Sequence, residues 1–229
     1  MRVLSNVFAA AALLLPACSS TSLNEPGTES QGTGQPASGG SSAAPAADSE
    51  YYLEDYPAGP YGTSLGSTLE NLAFLGWLEP AVVEYDLEQL KTVRLSRFYN
   101  PDGRSDLKLI WINASAVWCS VCKAEMKDIR NQDVNARFRA KGVQLIGTLF
   151  EDNATAPARP LDLQRWGQVE EHSIEFPLLL DPGFKLGAFF TSDATPLNLL
   201  VDAATMRIID ATMGYSSDYW QQVDQLLQK

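Results

Sequence analysis

Residues 107–123, with the sequence LKLIWINASAVWCSVCK, decide the fold class of this chain. The run at 107–113 is almost continuously apolar, which predicts a strand buried on both faces of a sheet. Cys119 and Cys122 follow as a C-x-x-C pair. Apolar side chains recur at helical spacing after Cys119, so the pair stands where a strand passes into a helix. That context is typical of cysteine pairs with redox chemistry.

The C-x-x-C spacing suits disulfide exchange. Two thiols three positions apart at the start of a helix can form a disulfide within one turn. Cys119 stands where free backbone N–H groups and the helix dipole stabilise a thiolate, the species that attacks a disulfide. Cys122 lies deeper in the helix, where it can resolve a mixed disulfide. We therefore predict that Cys119 and Cys122 are the catalytic, redox-active pair.

A cysteine pair with this spacing can also serve without redox chemistry. A zinc site needs two further ligands, but the sequence has no second C-x-x-C, and His172 is its one histidine. A purely structural disulfide would stabilise the fold little, because the loop it closes is short. The two thiols could also be a chance pair that the protein does not use. We predict no metal ligands, and we expect His172 to lie at the surface.

Periodicity along the chain predicts an α/β fold. A helix over 120–141, closed by Gly142, follows the strand at 107–113. The later predicted elements are a strand at 143–150, a helix at 161–173 interrupted by Gly167, strands at 176–180, 197–201 and 206–211, and a last helix capped by Ser217. Earlier β segments are expected within 69–78 and at 92–99. This order implies a central mixed β-sheet flanked by helices, with an N-terminal β extension.

The N-terminus indicates export to the bacterial cell envelope. Residues 1–17 place Arg2 before an apolar run, VFAAAALLL, that is too short to span a membrane, which is typical of a signal peptide. The segment LPAC at 15–18 resembles a bacterial lipobox, and lipidation of Cys18 would anchor the mature chain to a membrane. Ser19 favours the outer membrane. We expect a lipid-anchored protein that faces the periplasm.

Composition separates a linker from one folded domain. Residues 18–50 are rich in Ser, Gly, Ala and Pro, without apolar periodicity, which predicts a flexible linker after the lipidated cysteine. The folded domain is then 51–229.

The net charge of −11 argues against a nucleic-acid partner, since binding to phosphates requires clustered Lys and Arg.

Several motifs together resemble the TlpA/ResA-type thiol-disulfide oxidoreductases. Residues 119–126, CSVCKAEM, fit the family pattern C-x-x-C-[RK]-x-E-M, and Asn113 stands six residues before the first cysteine. Residues 195–202, TPLNLLVD, resemble the family's cis-proline segment and the strand after it. The resemblance covers residues 66–229. Lys127 departs from the pattern, because a proline often stands there.

The resemblance implies a thioredoxin-like fold and an envelope oxidoreductase that reduces disulfides without an organic cofactor. It implies a cis peptide bond between Thr195 and Pro196, and these two residues with Trp118 would bind the substrate. Glu125 and Asn113 would modulate the thiols. Disulfide-containing envelope proteins would be the substrates, and a membrane electron-donor protein would regenerate the dithiol. The direction of electron flow is left open by the unusual Ser-Val pair inside the motif.

Two rival functions use the same cysteines. A thiol peroxidase on this fold would need a threonine three residues before the attacking cysteine, where Ala116 stands. A copper-binding metallochaperone would hold the metal on the two thiols, with His172 as a third ligand. For Glu125, the alternative to a functional role is an ordinary solvated carboxylate on a helix.

Overall fold

The computed structural model describes residues 56–191 and 194–228. The predicted signal peptide at 1–17, the lipidation site Cys18 and the linker at 18–50 lie outside the described residues, so they stay predictions. Within the described residues, helices flank a mixed β-sheet, as the sequence predicts. No helix in the described part of the chain is both long enough and apolar enough to cross a membrane.

The secondary structure follows the predicted order. The elements are β1 (Ala73–Trp77), β2 (Lys91–Arg94), β3 (Leu109–Ala116), α1 (Ser120–Asn131), α2 (Val134–Arg139), β4 (Val143–Glu151), α3 (Pro160–Gly167), β5 (Leu178–Leu180), β6 (Leu197–Asp202), β7 (Ile208–Met213) and α4 (Tyr219–Leu226). Short 3₁₀ turns occupy Leu87–Gln89, Leu95–Phe98 and Lys185–Phe189.

Within the described residues, seven strands form a sheet with the order β2-β1-β5-β4-β3-β6-β7. β3, β4 and β5 are parallel to one another, and the remaining pairings are antiparallel. All eight residues of β3 are buried, which explains the continuous apolar run in its sequence. The carboxyl end of this central strand delivers the chain to the cysteine pair.

The N-terminal β extension is confirmed, and it widens the sheet. β1 pairs antiparallel with β5, where Leu75 lies opposite Leu180. β2 pairs in turn with β1 and is the outermost strand on that side. Lys91 and Arg94, the first and last residues of β2, are both exposed. The extension therefore ends the sheet in a short strand with a cation at each end.

The helix predicted over 120–141 is wrong in one respect, because it is two helices. α1 ends at Asn131, and Asp133 adopts a left-handed backbone conformation with φ of +54°. Aspartate tolerates this conformation better than most residues. After the break, Val134 and Phe138 of α2 are both fully buried. The interruption thus lets the second helix turn its apolar side chains to the core.

Further boundaries differ from prediction. The helix predicted at 161–173 ends at Gly167, and the strand predicted at 206–211 lies at Ile208–Met213. The strand predicted at 92–99 ends at Arg94, because the Leu95 N–H donates to the Leu72 carbonyl and the chain turns into a 3₁₀ segment. α4 begins one residue later than expected, with Asp218 rather than Ser217 as its N-cap residue. None of these differences moves the elements that carry the cysteine pair.

Gly167, the last residue of α3, lies where packing leaves no room for a side chain. A Cβ atom at this position would lie 2.6 Å from Cε1 of Tyr85 and 2.8 Å from Cδ2 of Leu178. The helix can approach the sheet and the Tyr85 ring only because residue 167 has no side chain.

An aromatic cluster joins the central strand to the last helix. The ring of Trp111 lies 5.2 Å from that of Tyr219 and 5.1 Å from that of Trp220, measured between centroids. Phe138 of α2 completes the group at 5.9 Å from Trp111. This cluster buries the indole of Trp111 and packs α2 and α4 against β3.

Candidate active site

Cys119 and Cys122 form a disulfide at the start of α1, with their Cα atoms 5.3 Å apart. Cys119 is the N-cap residue, and its Sγ accepts a hydrogen bond of 3.0 Å from the backbone N–H of Cys122. Cys119 is 3% exposed, whereas Cys122 is 0% exposed. Both residues are buried, and Cys119 is the more accessible of the two, which suits the predicted roles of attacking and resolving cysteine.

The loop before the disulfide is tied to the end of β4. The register between β3 and β4 shifts at Ser115/Ala116, so that Ala116 lies opposite Glu151. The Val117 N–H then donates to the Glu151 carbonyl, and the Cys119 N–H donates to the Ala116 carbonyl. These bonds fix the position at which the chain leaves the sheet and enters α1.

Trp118 lies at the surface beside the cysteine pair, 39% exposed. Its indole N–H donates a hydrogen bond of 2.7 Å to Oε2 of Glu151. Glu151 thus contacts this loop twice, through its backbone carbonyl and through its carboxylate. The sequence predicts Trp118 as a surface contact for substrate, but it offers no signal for Glu151.

The Thr195–Pro196 peptide bond is cis, as the family resemblance implies. The Thr195 hydroxyl donates a hydrogen bond to Sγ of Cys119 at 3.3 Å. The Pro196 carbonyl accepts a hydrogen bond of 2.7 Å from the Gly214 N–H, which ties the segment to the end of β7. The structure therefore brings the predicted residues Thr195 and Pro196 to the cysteine pair, although they are more than seventy positions away.

Glu125 is completely buried on the inner face of α1, one turn after Cys122. Oε2 accepts a hydrogen bond of 2.7 Å from the Asn113 amide, and Oε1 accepts one of 2.9 Å from the Asn198 amide. Burial raises the pKa of Glu125 to about 7, while the two amide hydrogen bonds act in the opposite direction. The alternative of a solvated helix carboxylate is therefore wrong, because this carboxyl group has no exposed surface.

Asn113 and Asn198 lie opposite each other on the adjacent strands β3 and β6. Oδ1 of Asn198 accepts hydrogen bonds from the Trp111 indole at 2.7 Å and from the Asn113 amide at 3.0 Å. Oδ1 of Asn113 accepts a hydrogen bond of 2.7 Å from the Ser115 hydroxyl. A polar network thus connects Trp111 and Asn113 of β3 and Asn198 of β6 to the carboxyl group of Glu125 on α1.

Comparison with known protein families identifies the family of this chain. The family model described as AhpC/TSA matches residues 82–210, more than half of the chain, and this range includes both cysteines and Pro196. The chain belongs to the AhpC/TSA family. No curated protein matches the sequence.

Solved structures show that this AhpC/TSA protein has the thioredoxin-like fold. A Chlorobium tepidum protein assigned as thiol:disulfide interchange protein DsbE superposes with a TM-score of 0.53 at 17% identity, over 73% of this chain and 97% of that one. The 2-Cys peroxiredoxin of Plasmodium vivax gives 0.52 at 13% identity, over 73% and 83%. A DsbF homologue from Corynebacterium diphtheriae gives 0.50 at 16% identity, over 71% and 85%. The predicted fold class is confirmed.

Asn198 is a second residue of this AhpC/TSA site, beside Glu151, that the sequence did not predict. One signal could have found it, because it is a lone amide between apolar residues in a strand, LNLLV, whose burial is complete. A polar side chain in such a strand needs a buried hydrogen-bonding partner. Its partner, however, comes from α1, and no local pattern in the sequence relates the two segments.

The prediction that His172 lies at the surface is wrong. His172 is 3% exposed, its ring lies 4.6 Å from that of Trp166 between centroids, and its Nε2 lies 3.0 Å from the Trp166 carbonyl oxygen. Burial lowers the pKa of this imidazole.

Among residues 56–191 and 194–228, no group of three His, Cys, Asp or Glu side chains could hold a metal ion.

Proposed function

We propose that this protein is a thiol-disulfide oxidoreductase that reduces disulfide bonds of partner proteins through Cys119 and Cys122. The observation that carries the proposal is the disulfide at the N-terminus of α1, with the Thr195 hydroxyl on the sulfur of Cys119. The backbone N–H groups at a helix start stabilise a thiolate. The more accessible cysteine is therefore also the one that is activated.

Reduction of a partner begins when the Cys119 thiolate attacks one sulfur of the partner's disulfide. That bond breaks, the second partner sulfur leaves as a thiolate, and a mixed disulfide forms with Cys119. Cys122 then loses its proton and attacks Sγ of Cys119, which expels the remaining partner sulfur as a thiolate. Two electrons have passed to the partner, its two thiolates take up two protons, and Cys119–Cys122 is left oxidised.

Glu125 is the group best placed to accept the proton of Cys122. Residues three positions apart on a helix are neighbours on one face, and both of these side chains are buried. A carboxyl group with a pKa near 7 can hold or release a proton at the pH at which a thiol reacts. In this proposal Glu125 takes the proton as Cys122 attacks, and Asn113 modulates it through its hydrogen bond.

The substrate contacts proposed for Trp118, Thr195 and Pro196 rest on their position around Cys119. The exposed indole of Trp118 offers an apolar surface beside the disulfide. The segment of Thr195 and Pro196 places backbone groups next to the reacting sulfur, where an extended substrate can pair with them. No organic cofactor takes part in the proposed reaction, because the cysteine pair carries the electrons.

We place the protein in the TlpA/ResA-type branch, anchored by lipid at Cys18 and facing the periplasm. Glu125 within C-x-x-C-K-x-E and Asn113 before it support the branch. Disulfide-containing envelope proteins are the proposed substrates, and a membrane dithiol donor is the proposed source of electrons. Mass spectrometry of the N-terminal peptide from membranes tests the anchor, with Cys18→Ser as the variant that should lose both acylation and membrane attachment.

An equilibrium redox titration tests the central proposal. Protein carrying Cys18→Ser, which removes the third thiol, is equilibrated with defined thiol/disulfide buffers, and free thiols are counted by mass. A reversible two-thiol transition near or below about −270 mV is expected for a reductant, whereas a value near about −120 mV would mark an oxidant. If no such transition occurs, the redox proposal fails and copper binding by the two thiols becomes the leading candidate.

A matched pair of variants tests the division of labour. Cys122→Ser should accumulate a mixed disulfide with an oxidised model protein, because Cys119 can attack but nothing resolves the product. Cys119→Ser should accumulate none. The opposite pattern would assign the attack to Cys122.

A thiol peroxidase is the second candidate, because the chain belongs to the AhpC/TSA family. In that reaction peroxide would oxidise Cys119 to a sulfenic acid, and Cys122 would close the disulfide with loss of water. Ala116, buried three residues before Cys119, provides no hydroxyl group for peroxide. Hydrogen peroxide consumption by the reduced protein, with Cys119→Ser as the control, separates the two candidates.

A further inference from the structure

We propose that Asn198 is a positioning residue of the redox site, which holds the Glu125 carboxyl group behind Cys122 and favours its ionised form. This inference rests on the proposed function and adds a residue to it. The Asn198 side chain bonds Trp111, Asn113 and Glu125 rather than the disulfide. Its effect on the thiols would pass through Glu125.

The orientation of the Asn198 amide is dictated by its neighbours. An indole N–H can only donate a hydrogen bond, so the atom of Asn198 that lies 2.7 Å from Trp111 Nε1 must be its oxygen. The NH₂ group is thereby turned to the opposite side, where it lies 2.9 Å from Oε1 of Glu125. A flipped amide would place two donors against each other beside Trp111. The buried tryptophan thus forces Asn198 to donate to the carboxyl group.

The same geometry gives both oxygens of Glu125 a donor. The Asn113 amide serves Oε2 and the Asn198 amide serves Oε1, and these two residues come from paired positions on β3 and β6. Two N–H donors stabilise a carboxylate more than a carboxylic acid, because the acid offers fewer acceptor sites. Burial acts against ionisation, so the balance between the two states depends on these amides.

The remaining titratable groups near Glu125 come from its own helix and from the C-terminal part of the chain. Cys122 precedes it by one turn on α1. Tyr219 of α4 and Tyr215 before that helix interact electrostatically with Glu125, and the Tyr215 hydroxyl donates to Asp128 of α1. Both tyrosines have a pKa above the ordinary value, so they are neutral near pH 7. The strands beneath α1 present amides to Glu125, namely Asn113 and Asn198.

The test is a titration of the Glu125 carboxyl carbon by NMR in the full chain, with Glu125→Gln to identify the signal. The wild-type midpoint is expected near pH 7. In Asn198→Ala it should rise by about one pH unit, a tenfold change in the protonation constant, as loss of one hydrogen bond to a charged group implies. The pH profile of disulfide reduction should move by the same amount.

Two further variants keep the test decisive if the alanine variant folds poorly. Asn198→Asp preserves the shape and both acceptor contacts but replaces the donor with a second acid, so the midpoint should rise further than in Asn198→Ala. Trp111→Phe removes one of the two donors to Oδ1 of Asn198 and leaves the Asn113 amide as the other, so the midpoint should rise by less than in Asn198→Ala. Asn100→Ala removes another buried amide, one that bonds the carbonyls of Ser105 and Leu107. It should leave the midpoint unchanged.

The outcomes separate this inference from the proposed function. A midpoint that stays at the wild-type pH in folded Asn198→Ala and Asn198→Asp would overturn the positioning role, even if both variants lose stability. In a Glu125→Gln background, adding Asn198→Ala should no longer change the pH profile of reduction, and a further change there would also count against it. Absence of a reversible two-thiol transition in the wild type would instead overturn the proposed function.

Discussion

The hydroxyl group of Thr195 donates a hydrogen bond to Sγ of Cys119 at 3.3 Å, across a sequence separation of 76 residues. The sulfur thus receives one donor from its own helix, the Cys122 N–H, and one from the segment that carries the cis-proline. Both donors would stabilise negative charge on this sulfur once the disulfide is reduced. The helix α1 and the cis-proline segment therefore each donate a hydrogen bond to the same sulfur atom.

Thr195→Val should slow the reaction of reduced Cys119 with an alkylating reagent at pH 7. Valine has nearly the shape of threonine but cannot donate, and one hydrogen bond of about 0.5–1.5 kcal/mol corresponds to a rate loss of about twofold to tenfold. The measurement is the rate of alkylation in a Cys18→Ser background. Thr191→Val, at an exposed position of the same segment, is the control and should react at the wild-type rate.

The pH dependence of stability should report the buried Glu125. Its pKa is raised in the fold, from 4.5 to about 7, so the folded protein holds a proton that the unfolded chain releases above its own pKa. This contribution is complete below about pH 4.5 and is lost as the pH rises toward 7. Its size is about 3 kcal/mol, from 1.36 kcal/mol for each pH unit.

The measurement for Glu125 is the free energy of unfolding of the oxidised protein between pH 4.5 and 8, for wild type and Glu125→Gln. The difference in the free energy of unfolding between wild type and Glu125→Gln should change from pH 4.5 to about 7, and it should level off above the pKa of Glu125 in the folded protein. His172 acts with the opposite sign, because burial lowers its pKa and its contribution is lost as the pH falls. Both proteins keep His172, so its effect cancels. A difference that is independent of pH would contradict the prediction.

Glu151 should matter for protein substrates through Trp118. Glu151→Ala removes the acceptor of the indole N–H, and the freed side chain should lower kcat/KM for a disulfide-containing protein by about threefold to tenfold. Glu151→Gln keeps an acceptor oxygen and should stay within about twofold. The measurement compares a protein disulfide with a small disulfide reagent, whose reduction needs no contact with Trp118. Equal losses on both substrates would point to a disturbed cysteine loop instead.

Gly167→Ala should destabilise the fold by about 1–3 kcal/mol, because its Cβ would collide with the ring of Tyr85 and with Leu178. Gly183→Ala is the matched control, since a Cβ there meets no atom within 4 Å. Denaturant unfolding of both variants measures the effect. Comparable stabilities would show that α3 can move away from the sheet at little cost.

The elements that position the cysteines were predictable because local patterns encode them. The apolar run of β3 and the C-x-x-C at the start of α1 are adjacent in sequence, and the cis bond at Pro196 followed from a family motif. The break at Asp133 was missed because apolar spacing continues through it, and a single left-handed residue leaves no periodic signal. The burial of His172 was missed because it depends on Trp166, which packs against it only in the folded chain.

The polar network was only partly predictable. Glu125 and Asn113 were found through the motif, but the motif says nothing about where a carboxyl group points. Asn198 and Glu151 act through partners 73 and 33 positions away, respectively. The partners, Glu125 and Trp118, lie on α1 and in the loop before it, so these pairs form only when that segment packs on β6 and β4. This packing is a property of the folded chain, and no single stretch of the sequence contains it.

The short N-terminal strands have a consequence for how copies of this protein behave at high concentration. An open sheet edge is a template on which a second chain can add a strand and start an aggregate. Without β1 and β2, that edge would be the uncharged β5, Leu178–Leu180. The chain instead presents Lys91 and Arg94 there, and like charges on two approaching copies repel. The extension thus replaces an uncharged edge strand with one that carries two cations.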